Sequence, residues 1–278
     1  MNAHSARRSR SSRVAITVYL SIAAALVTFP LLYVLFASLR PGQAITGQLS
    51  DIIPTGLSLE HFANALRRAP LAQQALNSLV VMVAQTALQV ATAVLAAYAL
   101  VFGGLKRPGM VFGFILFTMM IPGESILVAN FMTIRSLGLF DTVIAVFLPF
   151  AVAAYNVFLL RQTFLSFPKE IHEAATVDGA GRMTFLFRFL LPLTSPTVMT
   201  VTLMSAISAW NGYLWPLIVT ESPGVRTIQV GIKILTDESG TDIGTSLAGV
   251  VIAVVPTVLI VILGQRFLAR GLTSGAVK

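Results

Sequence analysis

Six apolar stretches, each long enough to cross a bilayer, dominate this chain; they lie at about 14–37, 77–102, 110–132, 142–160, 195–219 and 246–266. In hydrocarbon every backbone N–H and C=O must find a partner within its own segment, so runs of this kind fold as helices. Composition agrees. Hydrophobic residues make up 56% of the chain and charged residues 11%, with a mean hydropathy of +0.84. A soluble domain carries about 25% charged residues. The expected fold is an all-α polytopic membrane protein with six transmembrane helices, the fourth being the shortest.

Charge placement gives the orientation. With a cytoplasmic N-terminus, the inside segments hold 13 of the 19 Lys and Arg residues, but of the 11 acids only Glu170, Glu173 and Asp178. This is the positive-inside bias of a membrane protein, and it accounts for the net charge of +8 without nucleic acid. It puts both termini and the 161–194 connection in the cytoplasm. Residues 1–13, rich in Ser and Arg, read as a disordered cytoplasmic tail. The apolar run behind them, about 24 residues, is longer than a signal-peptide core and shows no small-residue cleavage site. It reads as an uncleaved first span.

Between the first two spans, the external segment 38–76 contains Pro41, Gly42, Pro54, Gly56 and Pro70. Within it, Leu59, Phe62, Ala63 and Leu66 recur at helical spacing and predict a short amphipathic helix over 58–69, lying on the outer membrane surface. The spans contain breakers: Pro122-Gly123 in the third, and Pro30, Pro149 and Pro256 in others. Irregular backbone at membrane depth is tolerated where it is buried in protein or lines a cavity. Glu124 follows the Pro122-Gly123 break directly. Insertion scales assign such a group a cost of about 2.5–3.5 kcal/mol at mid-membrane. Either it lines a translocation pathway or it lies near the outer interface and pairs with a neighbour. Asn130, Asn156 and Asn211, with Gln85 and Gln89, are weaker pathway candidates, because the commoner role of such amides is hydrogen bonding between helices.

The 170–192 stretch is polar and partly charged inside this apolar chain. Ser166 suits an N-cap, and Pro168 a first helical turn. Glu170 and Glu173 fall near the positive end of the helix that follows. Ala174 and Ala175 are strong helix formers with little bulk. Asp178-Gly179 is a stop-and-turn pair, since Gly179 can take a positive φ. A second helix over about 182–191 runs to Pro192. The expected product is a short helix at about 168–181, small on one face and acidic at one end. It is shaped to lie in a partner's groove; a solvated connector is the alternative.

As a pattern, this stretch is Glu173-Ala174-Ala175, three residues, Gly179, nine residues, then Phe189-Leu190-Leu191-Pro192. It resembles the cytoplasmic EAA loop of binding-protein-dependent ABC importers, with Phe189 where that family usually has Ile. Trp210-Asn211-Gly212-Tyr213-Leu214-Trp215-Pro216 sits where an interfacial aromatic belt is expected, and it is also similar to maltose-type carbohydrate importer permeases. So are Asn77-Ser78-Leu79, Ala96-Ala97-Tyr98-Ala99 and the closing Gly271-Leu272-Thr273-Ser274-Gly275-Ala276-Val277-Lys278. The resemblance implies the type I ABC importer permease fold in a bacterial inner membrane. Its transmembrane domain would be 14–267, with a coupling loop at 164–193, an external loop at 220–245 and a cytoplasmic tail at 268–278. By the same resemblance, Glu173, Ala174, Ala175, Asp178, Gly179 and Pro192 would couple to an ATPase. Gly271, Leu272, Gly275 and Lys278 would contact that ATPase, and residues 221–244 would reach an external solute-binding protein. The implied partners are a second homologous permease, an ATPase dimer and that binding protein. The implied cargo is a sugar or oligosaccharide, with glycerol 3-phosphate or a glycerophosphodiester as the alternative.

Enzyme chemistry has little footing in the sequence. There is no G-x-x-x-x-G-K-[ST] phosphate loop, so ATP and Mg would be bound by the partner ATPase. His4, His61 and His172 form no metal-ligand motif, and cysteine is absent. No G-x-S-x-G elbow occurs. A secondary transporter would show an internal repeat, which is not seen, and would not need an EAA loop. A membrane scaffold would differ in having no ATPase that copurifies.

Overall fold

A computed structural model describes residues 10–42, 56–240 and 242–273, and their regular structure is entirely helical. The helices are α1 (Arg10–Ser38), α2 (Glu60–Arg68), α3 (Leu71–Phe102), α4 (Pro108–Thr118), α5 (Leu127–Ser136), α6 (Val143–Phe147) and α7 (Ala154–Leu165). They continue as α8 (Lys169–Val177), α9 (Arg182–Phe185), α10 (Leu191–Leu193), α11 (Ser195–Trp210), α12 (Leu214–Val219), α13 (Ile228–Ser239) and α14 (Ile243–Thr273). Residues 10–13, expected in the disordered tail, already belong to α1, while 1–9 lie outside the described residues.

Val14–Ser38, Leu71–Phe102 and Ile243–Gln265 are unbroken helices long and apolar enough to cross a membrane. Three bent pairs meet the same length and hydropathy test when each pair is taken together. Pro108–Thr118 meets Gly123–Ser136 at 86°, Val143–Phe150 meets Ala154–Leu165 at 45°, and Arg182–Leu193 meets Ser195–Trp210 at 82°. Counting each pair once gives six. The prolines divide into two kinds. Pro30 and Pro256 do not break their spans but sit inside continuous helices, because membrane helices re-satisfy the one carbonyl such a residue frees. Pro122 and Pro149 do mark breaks. At the second, the freed carbonyls are taken up by α3: Gln89 Nε2 donates to Phe150 O at 2.8 Å and Thr92 Oγ1 to Ala151 O at 3.1 Å. The fifth apolar stretch is also interrupted, since α11 ends at Trp210 and α12 starts at Leu214.

The chain divides into two compact units, Met1–Ala69 with Ile234–Ile252, and Pro70–Lys233 with Ala253–Lys278. In the larger unit α3 is the central element and packs against α7 and α11. Ala93 and Ala97 are fully buried on α3, which lets the neighbouring backbones approach closely. Leu160, Phe164, Leu186, Leu190 and Val201 complete this core. A second core gathers Val81, Ile134, Ala145, Val146, Trp215 and Val219. Both tryptophans depart from the expected interfacial belt. Trp210 and Trp215 are buried, and their indole N–H groups donate to Ala253 O (3.1 Å) and Ala145 O (3.0 Å). A buried indole needs such a partner, and here each one ties two helices together.

In the smaller unit, α2 turns inward a face other than its apolar one, which the sequence lays on the outer membrane surface. Leu59 and Leu66 are 69% and 52% exposed, whereas His61 and Ala65 are buried. The reason is polar. Asp242 is buried and pairs with Arg68 at 2.9 Å, and His61 Nδ1 lies 3.6 Å from its carboxylate. Thr245 caps the same carboxylate through its N–H and Oγ1. Burial alone would raise the Asp242 pKa, but these hydrogen bonds, with Arg68 and His61 beside the carboxylate, hold it below the usual aspartate value.

Candidate functional site

Within the larger unit, the 164–193 loop opens at Pro168, whose φ of −59° and ψ of 125° turn the chain into α8. Ser166 is not its N-cap. Its hydroxyl donates back to Thr163 O at 2.8 Å and closes α7. That assignment fails because the preceding helix runs on to Leu165 and takes the serine as its own terminus. The C-terminal end follows the expected chemistry. Gly179 has φ +75°, its N–H reaches Thr176 O, and Ala180 N–H reaches Ala175 O at 2.9 Å. This is the Schellman arrangement, which satisfies the last helical carbonyls.

The three residues Glu173, Ala174 and Ala175 divide between two faces. Ala175 is buried in the core, while Glu173 and Ala174 are exposed beside Glu170 and Asp178. Val177 continues that outer face and is 87% exposed. The inner face is aromatic. His172 lies 4.4 Å from the Phe185 ring and 5.0 Å from Phe102, at the end of α3. Phe185 meets Phe102 and Phe167 edge-on at 5.4 and 5.9 Å. Tyr98 Oη donates to Arg182 O at 3.0 Å. The second predicted helix is not uniform. It is α9, a π-turn over Leu186–Leu190, then α10 containing Pro192. Proline has no N–H for the carbonyl four residues back, and a wider turn absorbs that mismatch.

At the other end of α3, the chain between α12 and α13 is held by side chains. Asn77 Nδ2 donates to Gly224 O (2.7 Å) and Arg226 O (3.1 Å), and Gln74 Nε2 to Pro223 O (3.3 Å). Ser78 Oγ accepts from Ile228 N–H at 2.8 Å. From a different element, the Asp141 carboxylate accepts the N–H groups of Glu221 (2.8 Å) and Ser222 (3.0 Å) and the Ser222 hydroxyl. Asp141 itself has φ +58°, rare for a residue with a side chain. Partial burial would raise its pKa, but the Ser222 and backbone hydrogen bonds, with Arg226 nearby, hold it below the ordinary aspartate value. The expected 220–245 loop is thus a short turn followed by the helix α13.

The four pathway candidates are scattered. Glu124 is exposed in a 3-10 turn over Gly123–Ile126, and Asn130 is half-buried on α5. Asn156 is buried and donates to Ser205 Oγ at 2.9 Å, joining α7 to α11. Asn211 is exposed at the end of α11, where it donates to Ile207 O. A cleft of about 180 Å³ is lined by Gln85, Ser208 and Tyr213 against Val81, Val146, Phe150 and Trp215, and by none of those four. The signal for it was the helix break at Gly212-Tyr213, inside the aromatic motif. Gly271 and Leu272 lie within the helical range of α14, whereas Gly275 and Lys278 lie outside the described residues.

A family model described as "Binding-protein-dependent transport system inner membrane component" matches residues 89–274. An arabinooligosaccharides transport system permease of Halalkalibacterium halodurans is 32% identical over 95% of each chain. An sn-glycerol-3-phosphate transport system permease of Yersinia pestis is also 32% identical, over 92% of this chain and 94% of that one. Among solved structures, a bacterial ABC transporter involved in the import of the acidic polysaccharide alginate matches with a TM-score of 0.80 and 26% identity, over 93% of this chain and 98% of that one. With matches along nearly its whole length, the chain belongs to the binding-protein-dependent transport system inner membrane components, the permeases of ABC importers.

Proposed function

We propose that the chain is the permease half of an importer that moves a sugar or oligosaccharide, driven by ATP hydrolysed on a separate subunit. The observation that carries the coupling reading is the geometry of α8: its back is packed into the core, while its acidic and apolar outer face is exposed, with no cover among the described residues. In this reading Glu173, Ala174, Asp178 and Gly179 meet a groove on the ATPase. Ala175 and Pro192 anchor the segment from behind. The tail residues Gly271, Leu272, Gly275 and Lys278 reach the ATPase dimer, both termini are cytoplasmic, and a second homologous permease completes the pore. A solute-binding protein delivers cargo outside, at the 220–245 connection. ATP-driven closure moves α8, and the packed bundle switches as a rigid body between inward-open and outward-open states.

The cargo reading rests on the cleft. Its polar groups, Gln85, Ser208 and Tyr213, are neutral, which suits hydroxyls; a phosphate would call for a cation. Glu124, Asn130, Asn156 and Asn211 remain candidates for the pathway beyond it. The relative named for sn-glycerol-3-phosphate, equal in identity to the one named for arabinooligosaccharides, keeps glycerol 3-phosphate or a glycerophosphodiester as the second reading. Uptake by cells with and without the chain, over labelled neutral oligosaccharides and glycerophosphodiesters, separates them. Loss of one sugar's uptake is expected. Loss of phosphodiester uptake alone would overturn the cargo and leave the permease.

A further inference from the structure

The turn over 221–226 is exposed along Glu221, Ser222, Pro223 and Gly224, yet it is tied down more closely than a connector requires. Surface loops ordinarily give their backbone groups to water. Here the N–H groups of Glu221 and Ser222 and the carbonyls of Pro223, Gly224 and Arg226 go to side chains of Asp141, Gln74 and Asn77. Two separate elements therefore grip one turn, from its two ends. Asp141 does so from a left-handed backbone conformation, a strained position for a residue with a side chain. An ordered turn has already lost the conformational freedom that binding would otherwise take from it, so a partner meets it at lower entropic cost.

We propose that Asn77 and Asp141 are positioning residues that preform the 221–226 turn as a rigid docking element for the solute-binding protein. The proposal rests on the importer reading above, which faces this turn outward. Neither residue touches cargo. Both act through the turn, whose Pro223-Gly224 tip and flanking Glu221 and Arg226 present the contact surface.

The test uses the assembled transporter in lipid nanodiscs, with the solute-binding protein that supports uptake in cells. ATP hydrolysis is titrated against that protein for wild type, Asn77→Ala, Asp141→Gly and Asp141→Asn. Glycine accepts the positive φ, so Asp141→Gly removes the carboxylate without adding strain. Asp141→Asn keeps one acceptor oxygen and the tolerance for φ +58°. In Asn77→Ala and Asp141→Gly, the half-maximal concentration is expected to rise about tenfold, the scale of one or two lost hydrogen bonds, at a saturating rate near wild type. Asp141→Asn should fall between. Amide exchange over 221–228 should quicken in the same order. A loosened turn with an unchanged half-maximal concentration overturns the proposal, as does a turn whose exchange does not change. So does a fall in saturating rate alone. A wild-type complex that the binding protein fails to stimulate defeats the importer reading itself.

Discussion

The two ends of α3 hold their neighbours by different chemistry. At Asn77 and Ser78 the joint is made of directional hydrogen bonds to the backbone of the 221–228 segment. At Tyr98 and Phe102 it is chiefly a ring cluster, Phe102 with His172 and Phe185, with one hydroxyl contact to Arg182. Hydrogen bonds weaken steeply as their angles change, so the first joint fixes a shape. The second joint holds instead through several tilted and edge-to-face ring contacts in a packed core. A single unbroken helix thus carries a directional polar joint at one end and a packed aromatic one at the other.

Removing the centre of the ring cluster should have the largest effect. Phe185 is almost fully buried, and Phe185→Ala in such a site costs about 3–5 kcal/mol. Hydrogen exchange is expected to quicken across 169–193 and to stay near wild type at 221–228. Equal loosening of both segments would show that the two joints are not independent, and the comparison would fail.

Gly179 gives a smaller and cleaner perturbation. A Cβ built there meets nothing of this chain within 4 Å, so the penalty within the chain comes from φ +75°. Gly179→Val should cost about 1–3 kcal/mol locally and should lower solute-stimulated ATP hydrolysis several-fold, with the complex still assembled. Gly179→Asn tolerates that φ and should retain most coupling. If the valine variant couples as well as wild type, α8 does not need its Schellman end to work.

Much of this was legible in the sequence, and the exceptions share a cause. Span positions, the break at Pro122 and the Gly179 turn follow from hydrophobic length and backbone chemistry, which are local. The errors arise where a distant partner decides. Trp210 and Trp215 carry the composition of an interfacial belt, but carbonyls at 253 and 145 draw them inward. The inward face of α2 was likewise not legible, because Asp242, far along the chain, holds His61 there. Asn77-Ser78 was visible only as a resemblance. Its role depends on carbonyls about 150 residues downstream, a pairing no local pattern encodes. Pro30 and Pro256 show the reverse, a strong local rule overridden by the surroundings of a membrane helix.

Acid offers the gentlest test of the polar joint. The Asp141 pKa is depressed in the folded protein, so its ionised form is favoured by folding. Its contribution is therefore complete above the unfolded aspartate value, about 3.9, and is lost as pH falls through the lower folded value. Across pH 5–8 the exchange of the Glu221 and Ser222 amides, corrected for its intrinsic pH dependence, should stay constant. Below about pH 4 it should quicken, because a protonated carboxyl accepts these bonds less strongly. In Asp141→Asn the same amides should start less protected and show no such step. A wild-type step near neutral pH would instead assign control of the turn to another group, and the Asp141 carboxylate would no longer account for its order.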